Sequence, residues 1–146
     1  MKRIFFAFGL LAIPFVLLAY TNPGKPTGFV NDFAGVLSAQ DRSALESKLT
    51  ALQASTGDQI AIAIIPSLGG DTIENYAVNL YKDWGIGQKG QDNGALLLVS
   101  IEDRQMRIEV GYGLEPVLTD ITTSHIISDT ITPHFKNGDY SGGLSA

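Results

Sequence analysis

QDNGALLLVSIEDRQMRIEV, residues 91–110, decides the fold. ALLLVS (95–100) is continuously apolar, the pattern of a strand covered on both faces. Glu102-Asp103 turns the chain, and RQMRIEV (104–110) then alternates. Met106, Ile108 and Val110 are expected to face inward, and Gln105, Arg107 and Glu109 outward, as in a half-exposed antiparallel partner. Upstream, QIAIAII (59–65) is a second buried, β-branched run. Between the two buried runs, Ile73, Tyr76, Ala77, Leu80 and Trp84 form a helical stripe. Asp71 and Glu74 make a capping-box-like start for it, and Gly85 ends it. Strand, helix, strand is a right-handed crossover with parallel strands. An earlier helix opens at Ser38 with Asp41 in its first turn, continues through Leu45, Leu49 and Leu52, and ends at Gly57. A third is expected from near Asp120 to just before Pro133. The pattern therefore predicts an α/β domain with a mixed, mostly parallel sheet, an antiparallel hairpin edge and helices on its faces.

This topology carries a functional consequence. The strand at 95–100 begins at the sheet end where 104–110 finishes. The loops GIGQKGQDNG (85–94) and GYGLEPVLTD (111–120) should therefore lie side by side, with the Gly57-Asp58 turn on the same edge. Asp92, Asn93, Glu115 and Asp120 converge in this reading, and convergent oxygens are what a hard cation requires. Asp32, in FVND, is either a further ligand or the closure of a turn.

The 146 residues suffice for one ordinary domain. Residues 1–20 read as an export signal, with Lys2 and Arg3 followed by an apolar run from Ile4 to Ala19. The run is short for a membrane span, which takes about 20 apolar residues. Leu17 and Ala19 make a weak cleavage motif, which leaves a retained N-terminal anchor as the alternative. TNPGKPT (21–27) reads as a linker. Without cysteine there is no disulfide-linked partner, no thiolate chemistry and no lipid anchor on a cysteine. Loss of Lys2 and Arg3 would leave eight basic against fifteen acidic residues, shifting the formal charge from −5 to −7. No basic run exists to neutralise phosphates, so nucleic acid is not an expected partner.

Several motifs fall away. An EF-hand with Gly94 at its sixth position would put Lys89 where a carboxylate must stand. Gly111-Tyr112-Gly113 begins like a dinucleotide fingerprint, but Pro116 takes the place of the third glycine. The glycines read better as a close approach of backbone. Asp120 reads most simply as a helix N-cap. His125 and His134 do not form HExxH, no GxSxG elbow occurs, and DITT (120–123) is not an aspartyl-phosphate motif. Metal-assisted hydrolysis is the one enzymatic route these residues leave open.

VNDFAGVLS (30–38), TGDQIAIAII (56–65), DWGIGQKGQDNGALLLVS (83–100), DRQMRIEVGYGLEPVLTD (103–120) and FKNGDYSGGL (135–144) together resemble the TPM domain. The resemblance runs from about residue 28 to the end of the chain. It implies a three-layer α/β/α sandwich outside the cytoplasm, in the periplasm or cell envelope and beside a membrane. It also implies Ca²⁺ or Mg²⁺ held by acidic and amide loop residues, here Asp92, Asn93, Asp120 and Asp32, and for some members acid phosphatase activity. Many bacterial relatives carry a further helix and a transmembrane segment, so a chain ending at SGGLSA is expected to be shorter than those. Three readings follow: a cation-binding module serving membrane-associated envelope proteins, a metal-dependent acid phosphatase, and a metal-free interaction module.

Overall fold

The structure is a computed structural model of the chain and describes residues 20–146. The charged and apolar stretch before Tyr20, read as a signal, lies outside the described residues. Four strands form one sheet in sequence order: β1 (Val30–Asp32), β2 (Gln59–Ile65), β3 (Gly94–Ser100) and β4 (Gln105–Val110). The first three are parallel, and β3 and β4 pair antiparallel, as the crossover and hairpin require. Only β1 escapes the sequence pattern. Its three residues are too few to display a period, and it is recognised through its pairing of Val30 with Ile62 and Asp32 with Ile64.

Helix α1 (Ala39–Thr56) begins at Ser38, whose hydroxyl accepts the Asp41 amide, and stops at Gly57 in a left-handed conformation. Helix α2 (Ile73–Trp84) crosses between β2 and β3 and covers one face of the sheet. There Ala61, Ala63, Ile65, Leu96 and Leu98 meet Ile73, Tyr76, Ala77 and Leu80. On the other face Ile62, Ile64, Leu97 and Val99 meet Leu45 of α1 and a C-terminal group of helices that supplies Ile131, Phe135 and Leu144. The result is the expected α/β/α sandwich. Ile64, Leu96 and Leu98 are fully buried, and each such side chain is worth about 1.5–3 kcal/mol.

Several local expectations are corrected. Helix α2 is capped by Thr72, which accepts the Asn75 amide, while Asp71 accepts from the Thr72 amide and the Asn75 side chain. Thr119, not Asp120, caps α3 (Asp120–His125), because its hydroxyl reaches the Thr122 amide; Asp120 is the first helical residue. The helix does not stop before Pro133 but continues through a π-helical turn (Ile126–Ile131) into α4 (Thr132–Lys136). Proline lacks an amide hydrogen and crowds the carbonyl four residues back. The widened turn just before it, in which the Thr132 amide bonds to the Ile127 carbonyl, accommodates both. Helix α5 (Tyr140–Ser145) is capped by Asp139.

Arg107 and Glu109 do not point to open solvent. Their cross-strand partners are Leu98 and Leu96, so they share the α2 face, half-buried, where the guanidinium meets the carboxylate at 3.0 Å. Leu52 is the exposed end of the α1 stripe. The segment read as a linker is packed instead on α2. Tyr76 donates to the Thr21 carbonyl at 2.8 Å, Trp84 donates to the Gly24 carbonyl at 2.9 Å, and Tyr20 stacks edge-on against Tyr76 at 4.9 Å.

Candidate functional site

The loops 85–94 and 111–120 do lie side by side at the start of β3. The Gly111 amide donates to the Gly94 carbonyl at 2.8 Å, and the Gly113 amide to the Asp92 carbonyl at 3.0 Å. A Cβ on Gly111 would collide with the Asp92 carbonyl oxygen and one on Gly113 with that of Gln91. Gly-Tyr-Gly is thus a place where two backbones touch, which is why side chains are missing there.

Asn93 ties the edge together. Its amide oxygen accepts from the Gln88 amide at 2.9 Å, and its nitrogen donates to the Gly57 carbonyl at 2.9 Å. The side chain is buried, so its polar atoms are committed to the architecture. The Gly57-Asp58 turn therefore opens on this edge, as the topology required. Asp92, rather than Asn93, takes the left-handed conformation, with φ 48°, which a short polar side chain tolerates better than most.

Tyr81 completes the site. Its hydroxyl donates to the Gly94 carbonyl at 3.4 Å. Burial raises its pKa first, and the Asp92 and Glu109 carboxylates add to the rise. Of these two carboxylates, Asp92 comes from the 85–94 loop and Glu109 from β4. Sequence reading passed over Tyr81, although it stands four residues after Ala77 on the helical stripe. It also treated Glu109 as a solvent-facing residue of the alternation.

The other expected residues lie elsewhere. Asp32 is level with Ile64 and Val99 at the opposite end of the strands, about 20 Å from Asn93 at strand rise. Its two oxygens accept the Gly35 and Leu37 amides, each at 2.8 Å, so it closes a turn. Glu115 is exposed in the helical turn that follows Gly113. Asp120 lines a groove beside the middle of β4, with Glu74, Arg107 and Ile108, not the start of β3. Among the described residues no group of three or more His, Cys, Asp or Glu side chains is arranged to hold a metal. With Asn93 and Asp32 already engaged, the described residues do not form a protein cage for Ca²⁺.

An α/β/α sandwich whose sheet edge is closed by a Gly-Tyr-Gly loop against an Asp-Asn-Gly corner defines the class of domain. The chain belongs to the TPM domain family, whose sequence pattern matches residues 30–146. It is 35% identical to the N-terminal domain of a protein from P. gingivalis, with a TM-score of 0.78 over 87% of this chain and 86% of that one. The N-terminal domain of cg2496 from Corynebacterium glutamicum shares the fold at 18% identity and a TM-score of 0.64, over 87% and 79% of the two chains. The BA42 protein of the psychrophilic bacterium Bizionia argentinensis does so at 20% identity and a TM-score of 0.64, over 74% and 73%. No curated protein matches the chain.

Proposed function

We propose that the chain is an extracytoplasmic binding module whose β3-start edge attracts a divalent cation, Ca²⁺ or Mg²⁺, and which serves membrane-associated envelope proteins. The observation that carries this reading is the exposed Asp92, set at φ 48° on backbone that the Gly113 amide fixes at 3.0 Å, beside the carbonyls of the 85–94 loop. That carboxylate has no salt-bridge partner among the described residues and stands on backbone held by Asn93 and Gly113. Because no cage forms among the described residues, the ion would keep most of its water and lean on one or two carboxylates, the habit of Mg²⁺ more than of Ca²⁺. The export half of the reading is supported by Lys2, Arg3 and the apolar run from Ile4 to Ala19.

An amide-resolved NMR titration of the protein with each ion tests the cation half. Shifts centred on Asp92, Gly94 and Gly111 at millimolar ion, lost in Asp92→Ala, are expected. A flat titration would leave the metal-free interaction module. The phosphatase alternative has Lys89 as the only basic side chain of the 85–94 loop to meet a phosphate, and no observation favours it. Phosphomonoester hydrolysis that depends on added metal and disappears in Asp92→Ala would be needed to revive it.

A further inference from the structure

β4 ends the sheet on the side away from β1. The Gly111 amide bonds to the Gly94 carbonyl, and hydrogen-bonded and non-bonded pairs alternate along an antiparallel ladder. Glu109, Arg107 and Gln105 therefore direct their backbone groups to β3, while Val110, Ile108 and Met106 direct theirs outward. Among the described residues, no hydrogen bond outside the β3 ladder reaches the amides or carbonyls of those three. The opposite edge is closed by the chain itself. The Glu46 carboxylate accepts the Phe29 and Val30 amides, both at 2.8 Å, and Asn31 accepts the Thr27 amide at 2.8 Å. An open strand edge is a template for pairing with another chain.

A cleft of about 460 Å³ runs along the open edge. Met106, Arg107 and Ile108 form its floor, Glu74 at the start of α2 stands on one side, and Asp120 and Ile127 stand on the other. Walls on both faces of the edge leave room for a single extended chain. A second copy would bring its own two walls to the same place, which disfavours a continuous sheet across a dimer. From Met106 to Val110 the edge spans about 13 Å, the length of four or five extended residues. The charge of the cleft selects among peptides. Glu74 and Asp120 present two carboxylates, while the Arg107 guanidinium is already joined to Glu109 at 3.0 Å.

We propose that β4 docks an extended peptide segment by strand addition, with a lysine or arginine of that segment placed between Glu74 and Asp120. Main-chain bonds to Met106, Ile108 and Val110 supply the affinity and the acidic walls the selectivity, the division of labour usual for strand addition. This site is separate from the β3-start edge and does not depend on a cation there.

The test uses the full chain and a blocked Thr-Val-Lys-Val-Thr pentapeptide, read by amide hydrogen exchange. Exchange at Met106, Ile108 and Val110 is expected to slow at least tenfold at millimolar peptide, with Arg107 and Glu109 unchanged. A peptide N-methylated at alternate amides should give no slowing, and the double variant Glu74→Lys, Asp120→Lys should bind at least tenfold more weakly while keeping its fold, since both side chains are exposed. Three results would overturn the proposal. One is unchanged exchange at all three amides. Another is equal binding of a peptide with glutamate in place of lysine. The last is protection of the same amides without peptide, rising with protein concentration alongside a dimer in sedimentation, which would assign the edge to a second copy.

Discussion

The Asn93 side-chain nitrogen donates to the Gly57 carbonyl at 2.9 Å, joining residues 36 apart in sequence. The same side chain accepts from the Gln88 amide, so one buried amide holds the C-cap of α1, the 85–92 loop and the start of β3 in register. Asn93→Ala removes both bonds and leaves buried partners unsatisfied, at roughly 2 kcal/mol or more. Urea denaturation should show a lowered midpoint with an unchanged slope. Asn93→Asp keeps the acceptor for Gln88 but loses the donor to Gly57, and sets a second carboxylate near Asp58, 3.5 Å from the present amide. It should be destabilised as well.

Gly111→Ala must push the Asp92 carbonyl away, since backbone opposes the new methyl and cannot rotate aside. A loss of about 1–3 kcal/mol is expected, with amide shifts concentrated at Asp92 and Gly113. Tyr112 between the two glycines is 80% exposed, and Tyr112→Ala should lie within about 0.5 kcal/mol of the parent. Thermal melting of the pair distinguishes close backbone approach from a general sensitivity of the loop.

Glu46 lies in the middle of α1 and reads as an ordinary surface helix residue, yet its carboxylate caps the amides of Phe29 and Val30. Glu46→Ala should cost about 2 kcal/mol. It should also raise hydrogen exchange at those two amides before the rest of the sheet responds. Glu46→Gln retains one acceptor oxygen and should lose less.

Asp103 accepts from the Ser100 hydroxyl at 2.6 Å and the Leu68 amide at 2.7 Å, and these bonds hold its carboxyl below the ordinary value. A depressed folded pKa contributes stability that is complete above the unfolded value, near 3.8, and is lost as pH falls through the folded one. The parent should therefore lose stability on acidification below about pH 4. Asp103→Asn should start from lower stability at neutral pH and show a shallower decline there. Urea midpoints collected from pH 6 down to pH 2 check both.

Much of the edge at β3 is legible in the sequence. The alternation of RQMRIEV and the crossover from QIAIAII to ALLLVS place 85–94 beside 111–120, and the Gly113–Asp92 bond follows from that placement. What failed did so for identifiable reasons. Asp120 reads in sequence as a cap that converges with Asp92. Thr119 has the better reach to an amide, and the turns of 111–119 leave Asp120 in the cleft that Glu74 and Arg107 also line. Asp32 could not be assigned an end of the sheet because β1 was too short to be read as a strand. Arg107 and Glu109 alternate as solvent-facing residues do, but the start of α2 overhangs that face.

The sequence by itself determined the layers, the strand directions and the loops that meet, because apolar periodicity and the handedness of a crossover are properties of local chain. Only the tertiary structure decided which polar groups remain free. Asn93 accepts from the Gln88 amide and donates to the Gly57 carbonyl 36 residues away, Asp32 spends its oxygens on amides a turn away, Glu46 seals β1, and nothing among the described residues seals β4. Hydrogen-bond satisfaction depends on what the fold brings within 3 Å, and no spacing along the chain encodes it.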